Sequence, residues 1–154
     1  MFKKMRRQEK QLAKVKAVEI LKKGEYGVLA TVGKDDYPYA LPMNYVFVNG
    51  KIYLHCALKG HKIDNINYNN KVSFTVVGEY ELKPQKFTSN YESIVVFGKA
   101  KSVKGDLKEK ALQQFILKYS PDYKEEGFAY IKKALDKTKI IEIEIIDIKG
   151  KKNS

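Results

Sequence analysis

Gly60, His61 and Lys62 stand between an apolar run at residues 51–57 and a stretch in which Ile63 and Ile66 recur at helical spacing. The run reads as a buried strand and the spacing predicts a short helix opening at Lys62, so the change from strand to helix falls on the Gly-His-Lys step. A helix start offers unpaired backbone N–H groups and a partial positive charge, and a glycine lets an anion approach the backbone closely. Lys62 adds a point charge. The chemistry open to such a step is to hold a phosphate. His55 and Cys56 end the strand just before the same loop, where polar groups would flank a bound ligand. Taken alone, the step also fits a solvated helix start, and His55 fits an imidazole bonded to a neighbouring carbonyl. Cys56 reads as a small packing residue rather than a nucleophile, since nothing in the sequence lowers its pKa.

These residues need strands and helices to hold them. Residues 8–23 carry apolar side chains between charges in the manner of an amphipathic helix, with Gly24 as its stop. A strand follows at 25–32, a turn at 33–36, and a second strand at 37–48 in which Pro38 and Pro42 mark an edge, a bulge or a bend. Asn49-Gly50 is the pair that best fits a type I′ hairpin turn, which joins that strand antiparallel to residues 51–57. Further strands are expected at 71–77, 91–103 and 140–148, with a polar loop between the first two. Asp106 can cap a helix through Tyr119, and a second helix is expected at 125–135. In the last strand, Ile141, Ile143 and Ile145 are expected inside and Glu142 and Glu144 outside. Six strands in hairpin-like succession point to a mainly β fold, a small barrel with helices attached.

The 154 residues suit a single domain with a sizeable core. No apolar run is long enough to span a membrane and no apolar leader opens the chain, so a cytoplasmic protein is expected. One cysteine and two histidines leave no disulfide and too few ligands for a zinc site. Of the net charge of +12, +7 lies in residues 1–24 and +3 at Lys149, Lys151 and Lys152, leaving +2 for the body. A nucleic-acid groove would carry its basic residues on the body, so no specific nucleic-acid partner is expected. The basic arm at 1–10 and the basic tail at 149–154 remain a surface for other anions.

Six ordered segments closely resemble a known family. They are 26–32 (YGVLATV), 37–45 (YPYALPMNY), 50–57 (GKIYLHCA), 60–66 (GHKIDNI), 71–76 (KVSFTV) and 90–100 (NYESIVVFGKA). Together they resemble the pyridoxamine-5′-phosphate-oxidase-like split-barrel flavoproteins, and within them the nitroimidazole-resistance branch, over residues 5–148. The resemblance implies a six-stranded split barrel that forms a homodimer with FMN in a groove between the subunits. It implies that Gly60, His61 and Lys62 hold the FMN phosphate and that His55 and Cys56 lie along the flavin, with His55 as the candidate catalytic group. Leu41, Pro42, Met43 and Asn44 would face the ring through their backbone, and the partner subunit would contribute Tyr91 and Ser93. His61 stands where the oxidase proper carries arginine, which implies weaker phosphate binding that depends on pH.

The oxidase's C-terminal Arg- and His-bearing segment is replaced here by 143–151 (IEIIDIKGK), so true pyridoxamine phosphate oxidation is not expected. The expected activity is FMN-dependent reduction of a small, nitroaromatic-type substrate. The alternatives are a flavin- or ligand-binding protein without turnover and a binding module that uses the basic arm.

Overall fold

A computed structural model describes residues 2–154. In chain order it consists of β1 (Gln11–Leu12), α1 (Lys14–Lys23), β2 (Gly27–Val32), β3 (Pro38–Met43), β4 (Val46–Val48), β5 (Lys51–Ala57), α2 (His61–Tyr68), β6 (Lys71–Lys83), β7 (Thr88–Val103), α3 (Gly105–Tyr119), α4 (Lys124–Ala134) and β8 (Thr138–Asn153). The main strands form one antiparallel sheet in the order β3-β2-β6-β7-β8-β5-β4, with β1 on β8. The split-barrel reading holds. All six expected strands are present, one of them divided in two, and short β1 is added.

The division falls in the expected strand at 37–48. Its first part pairs with β2 and its second with β5, so the two open ends of the sheet belong to one continuous segment. Between them Tyr45 is fully buried and donates its hydroxyl to the Leu21 carbonyl. The prolines fit this layout, because β3 is an edge strand and needs no ladder donor at Pro38 or Pro42. Asn49 and Gly50 take φ of 52° and 78°, the sign a type I′ turn requires.

Other boundaries shift for tertiary reasons. Residues 8–10 form a 3-10 turn and 11–12 pair with β8, so the expected long first helix is helical only from Lys14. Gly24 does stop α1, but at φ −60° and ψ 139°. Its small size matters because an added Cβ would lie 2.3 Å from the Tyr45 hydroxyl. Asp106 sits in the first turn of α3 and makes no capping bond there, although its charge suits that end of the helix. The loop expected between residues 77 and 91 is mostly strand, an extended β6–β7 hairpin that turns at Pro84–Lys86. The last strand runs on through Lys149, Lys151 and Lys152 to pair with β7.

Two apolar clusters lie on opposite sides of the sheet. Inside the barrel, Leu29, Leu54, Phe74, Ile94 and Ile143 pack with Leu21 of α1 and Ile63 of α2. On the other side, Val46, Tyr53 and Ile140 lie under Leu112 and Phe115 of α3 and Ile131 of α4. This second cluster overturns the expectation that Glu142 faces out. α3 and α4 cover that side, and Glu142 is 2% exposed. Burial pushes its carboxyl pKa up, but hydrogen bonds from Lys51 (3.0 Å) and Tyr53 (3.1 Å) and the charges of Lys51 and Lys101 more than reverse this and hold it below the usual range. Tyr53, buried beside a carboxylate, is in turn pushed up to about 12.

Removing Glu142 leaves the buried Tyr53 hydroxyl without its acceptor, so Glu142→Ala is expected to cost about 2 kcal/mol in a denaturant titration. Because the folded state holds this carboxyl below its unfolded pKa, its contribution is present above the unfolded value and is lost as pH falls through the folded one. Glu142→Gln should therefore flatten the acid limb of the stability curve.

Candidate functional site

Along β5 the side chains alternate between the two clusters. Ile52, Leu54 and Cys56 turn to the barrel interior, while Tyr53 and His55 turn toward α3. The His55 ring meets Phe115 edge-on with centroids 4.6 Å apart, and its remaining surface is exposed.

Past the end of β5, Gly60 has φ 153°, a conformation that disfavours a side chain, and a Cβ there would meet no atom within 4 Å. No side chain caps α2. Its ladder begins with the Asp64 N–H donating to the Gly60 carbonyl at 3.0 Å, so the amides of His61, Lys62 and Ile63 have no partner within the helix. An anion of open approach would meet these amides and the Lys62 ammonium together. His61 stacks on Tyr39 of β3 with ring centroids 3.9 Å apart. Lys62 reaches the end of β5: burial lowers the His55 pKa first, and the Lys62 charge lowers it further. Burial pushes the Cys56 thiol up, only partly offset by Lys62 and Lys139, so Cys56 is a packing residue that stays protonated.

α2 is fixed from behind. Asn65 is buried and donates to Thr31 at 2.9 Å, and Gly33 leaves room for it, since a Cβ at Gly33 would lie 2.0 Å from the Asn65 carbonyl oxygen. On β3, Leu41 and Met43 pack against the barrel core, whereas Pro42 and Asn44 are exposed. Asn44 donates to the Glu25 carbonyl at 3.0 Å. The β3–β4 junction is held by Tyr119, whose hydroxyl accepts from the Tyr45 N–H at 3.1 Å and lies 2.9 Å from the Tyr45 carbonyl. Lys118 donates to that same carbonyl at 2.9 Å with its ammonium over the Tyr45 ring, and burial pushes it down to about 8.

Within one chain Tyr39 meets His61, and the Lys62 charge acts on both His55 and Cys56, although their side chains turn to opposite faces of β5. One chain does not bring Tyr91 and Ser93 to this group. On β8, His55 lies opposite Ile140, whereas Ser93 and Tyr91 lie opposite Lys151 and Asn153. At the usual rise of a strand, Ile140 and Lys151 are roughly 35 Å apart along it. Tyr91 is half-buried under the Lys151 ammonium, 5.6 Å from its ring. A groove of about 910 Å³ lies between α1 and β6 and is lined by none of the residues named for the site. Sequence reasoning missed Tyr39, Asn65 and Tyr119. Only Tyr39 carried a signal, as an aromatic residue two positions before the expected 41–44 segment.

The family model described as pyridoxamine 5′-phosphate oxidase matches residues 14–152, and the chain belongs to that family. A candidate 5-nitroimidazole antibiotic resistance protein from Bacteroides thetaiotaomicron is 24% identical, with a TM-score of 0.79 over 92% of this chain and 85% of that one. A FAD-binding protein from Mesorhizobium loti is 21% identical, with a TM-score of 0.67 over 94% and 97% of the two chains. A FAD and heme binding protein from Mycobacterium smegmatis is 19% identical, with a TM-score of 0.80 over 94% and 74%. At these identities the likeness is one of fold, and two of these proteins are named as FAD-binding. No curated protein matches the chain. Among the described residues no helix is long and apolar enough to cross a membrane, and no cluster of His, Cys, Asp or Glu is placed to hold a metal ion.

The link between Lys62 and His55 can be read by NMR. His55 should titrate below an ordinary histidine, and Lys62→Ala should move its midpoint up, because one of the two causes of the depression is gone; an unmoved midpoint would separate the two side chains.

Proposed function

We propose that this protein binds FMN at the start of α2 and reduces a small acceptor. The observation that carries this reading is the opening of α2: backbone amides without a helical partner, an open glycine beside them, and a lysine that reaches the end of β5. These groups suit a dianionic phosphate monoester, which takes both charge and several hydrogen bonds. Gly60 leaves the backbone clear, Lys62 supplies the cation, and His61, braced on Tyr39, adds a ring nitrogen at the edge. His55 has an exposed edge within reach of the Lys62 charge, from which it can orient the ring or an acceptor. When bound, the flavin supplies the hydride or electron transfer, and the chain's part is to bind, orient and shield it.

A second subunit is part of the proposal, because the family resemblance assigns Tyr91 and Ser93 to the flavin. Tyr91 and Ser93 lie far along β8 from α2, and they reach a flavin at Lys62 only if they come from a partner. A homodimer with the cofactor between subunits meets that requirement. For the acceptor, a nitroaromatic is the class we favour, since a candidate nitroimidazole resistance protein shares the fold over most of both chains. The β8 segment after Ile140 has no arginine or histidine, which argues against pyridoxamine phosphate as substrate. A free thiol as the only cysteine fits the reducing cytoplasm.

The test is a titration of the protein with FMN, followed by NADH. A bound flavin spectrum that bleaches with NADH supports the reductase, and a spectrum that does not bleach supports binding without turnover. Lys62→Ala should weaken FMN binding roughly 10- to 100-fold, the size of one charged hydrogen bond, with the melting temperature nearly unchanged. Equal affinity in the variant would remove the phosphate role.

A further inference from the structure

The two basic stretches stand apart by most of the chain, and the fold lays one on the other. Gln11 and Leu12 pair with Lys151 and Gly150 of β8, and Lys10 donates to the Asn153 side chain. At the far end of the arm Phe2 stacks on Phe97 at 4.9 Å, and Phe97 lies opposite Asp147. Residues 2–10 therefore run beside β8 from Asn153 back to Asp147, about 20 Å at the usual rise of a strand. Lys149 and Lys151 stand between those two points, so the arm adds its cations to a strand that already carries some.

Residues 2–14 carry six cations, and Lys149 and Lys151 make eight, against Glu9 and Asp147. Those two carboxylates are taken by Arg7 and Lys149, which leaves a charge of +6 on this surface. Lys152 turns to the other face, into a groove with Glu79, Glu81 and Glu92, and is not part of it. Lys3, Lys4, Arg6 and Lys14 are exposed, and among the described residues they make no ion pair. Half of the chain's net charge of +12 is thus gathered on one side of the molecule.

We infer that this surface binds double-stranded nucleic acid through its phosphates, without reading sequence. A duplex carries one negative charge per about 1.7 Å of its axis, and each phosphate met by a fixed cation releases a condensed counterion. Six of the eight cations are lysines, which act as point charges rather than as the forks that read base edges. The apolar residues of the arm decide against a membrane. An arm that enters a bilayer lays its apolar side chains outward, whereas Phe2 and Met5 are half-buried and Phe2 is held by Phe97. The same stack leaves no ring in the arm for an unpaired base, which decides against a single strand. The surface is separate from the start of α2, so the inference stands or falls independently of flavin binding there.

The experiment is fluorescence anisotropy of a short labelled duplex of mixed sequence, titrated with the full chain at rising salt. The logarithm of the binding constant should fall linearly with that of salt at a slope of about −4 to −5, the value for about five phosphate contacts. Lys3→Ser/Lys4→Ser/Arg6→Ser should reduce the slope by about 3 and weaken binding at least about tenfold at low salt, with circular dichroism and melting unchanged. A second variant, Lys124→Ser/Lys132→Ser/Lys133→Ser, takes the same charge from exposed positions on α4 and should keep the wild-type slope. Equal losses in the two variants would show that net charge alone is read, and would overturn the surface. A wild type that ignores the duplex at about 50 mM salt, or binds a single strand of the same sequence more tightly, would overturn the duplex as partner. So would binding to phosphatidylserine vesicles that depends on Lys3, Lys4 and Arg6 when binding to the duplex does not.

Discussion

The fold depends on one break in one strand. At Asn44-Tyr45 the chain leaves the β2 side of the sheet and joins the β5 side, so a single covalent segment ties the two open ends together. A free phenol in a core is costly unless its hydroxyl has a partner, and the Leu21 carbonyl at the end of α1 supplies one. The backbone of the same residue is held by Tyr119 and Lys118 at the end of α3. One buried tyrosine thus locates α1, α3 and both sheet ends. Burial pushes the Tyr45 hydroxyl pKa far up, so it remains a neutral donor at any physiological pH.

The candidate site follows from that arrangement. β3 can lie beside the start of α2 only because the strand breaks where it does, and Tyr39 then meets His61. The Asn65–Thr31 bond ties α2 to β2, which keeps the amides at its start in a fixed position. The groove near α1 is lined by none of these residues. A fixed, open helix start would need little ordering of the chain to take up an anion, which supports the phosphate site proposed above.

Two charged features show how the helices change the reading of a strand. Glu142 alternates with isoleucines as a surface residue would, yet α3 and α4 cover its side of the sheet. It stays ionised because Lys51 and Tyr53 reach it there. Likewise Lys149, Lys151 and Lys152 look like a basic tail, but they extend β8 and pair with β7 as part of the sheet. Alternation tells which residues share a face; what lies over that face depends on elements distant in sequence.

The sequence by itself determined the main strands and helices, the Asn49-Gly50 turn and the strand-to-helix step at Gly60–Lys62. Each of these is local: period, turn chemistry and helix-end chemistry act over a few residues. The hairpin-like succession of six strands pointed to a small barrel, and the six family-like segments made it a split barrel. Only the tertiary structure decided that residues 37–48 serve two ends of one sheet, that Gly24 is small for the sake of Tyr45, and that Glu142 is buried. It alone placed Tyr39 on His61, and Tyr91 and Ser93 a long way from Lys62. The physical reason is that these facts concern pairs far apart in the chain. Their contacts are set by strand register and helix packing, which no window of neighbouring residues encodes.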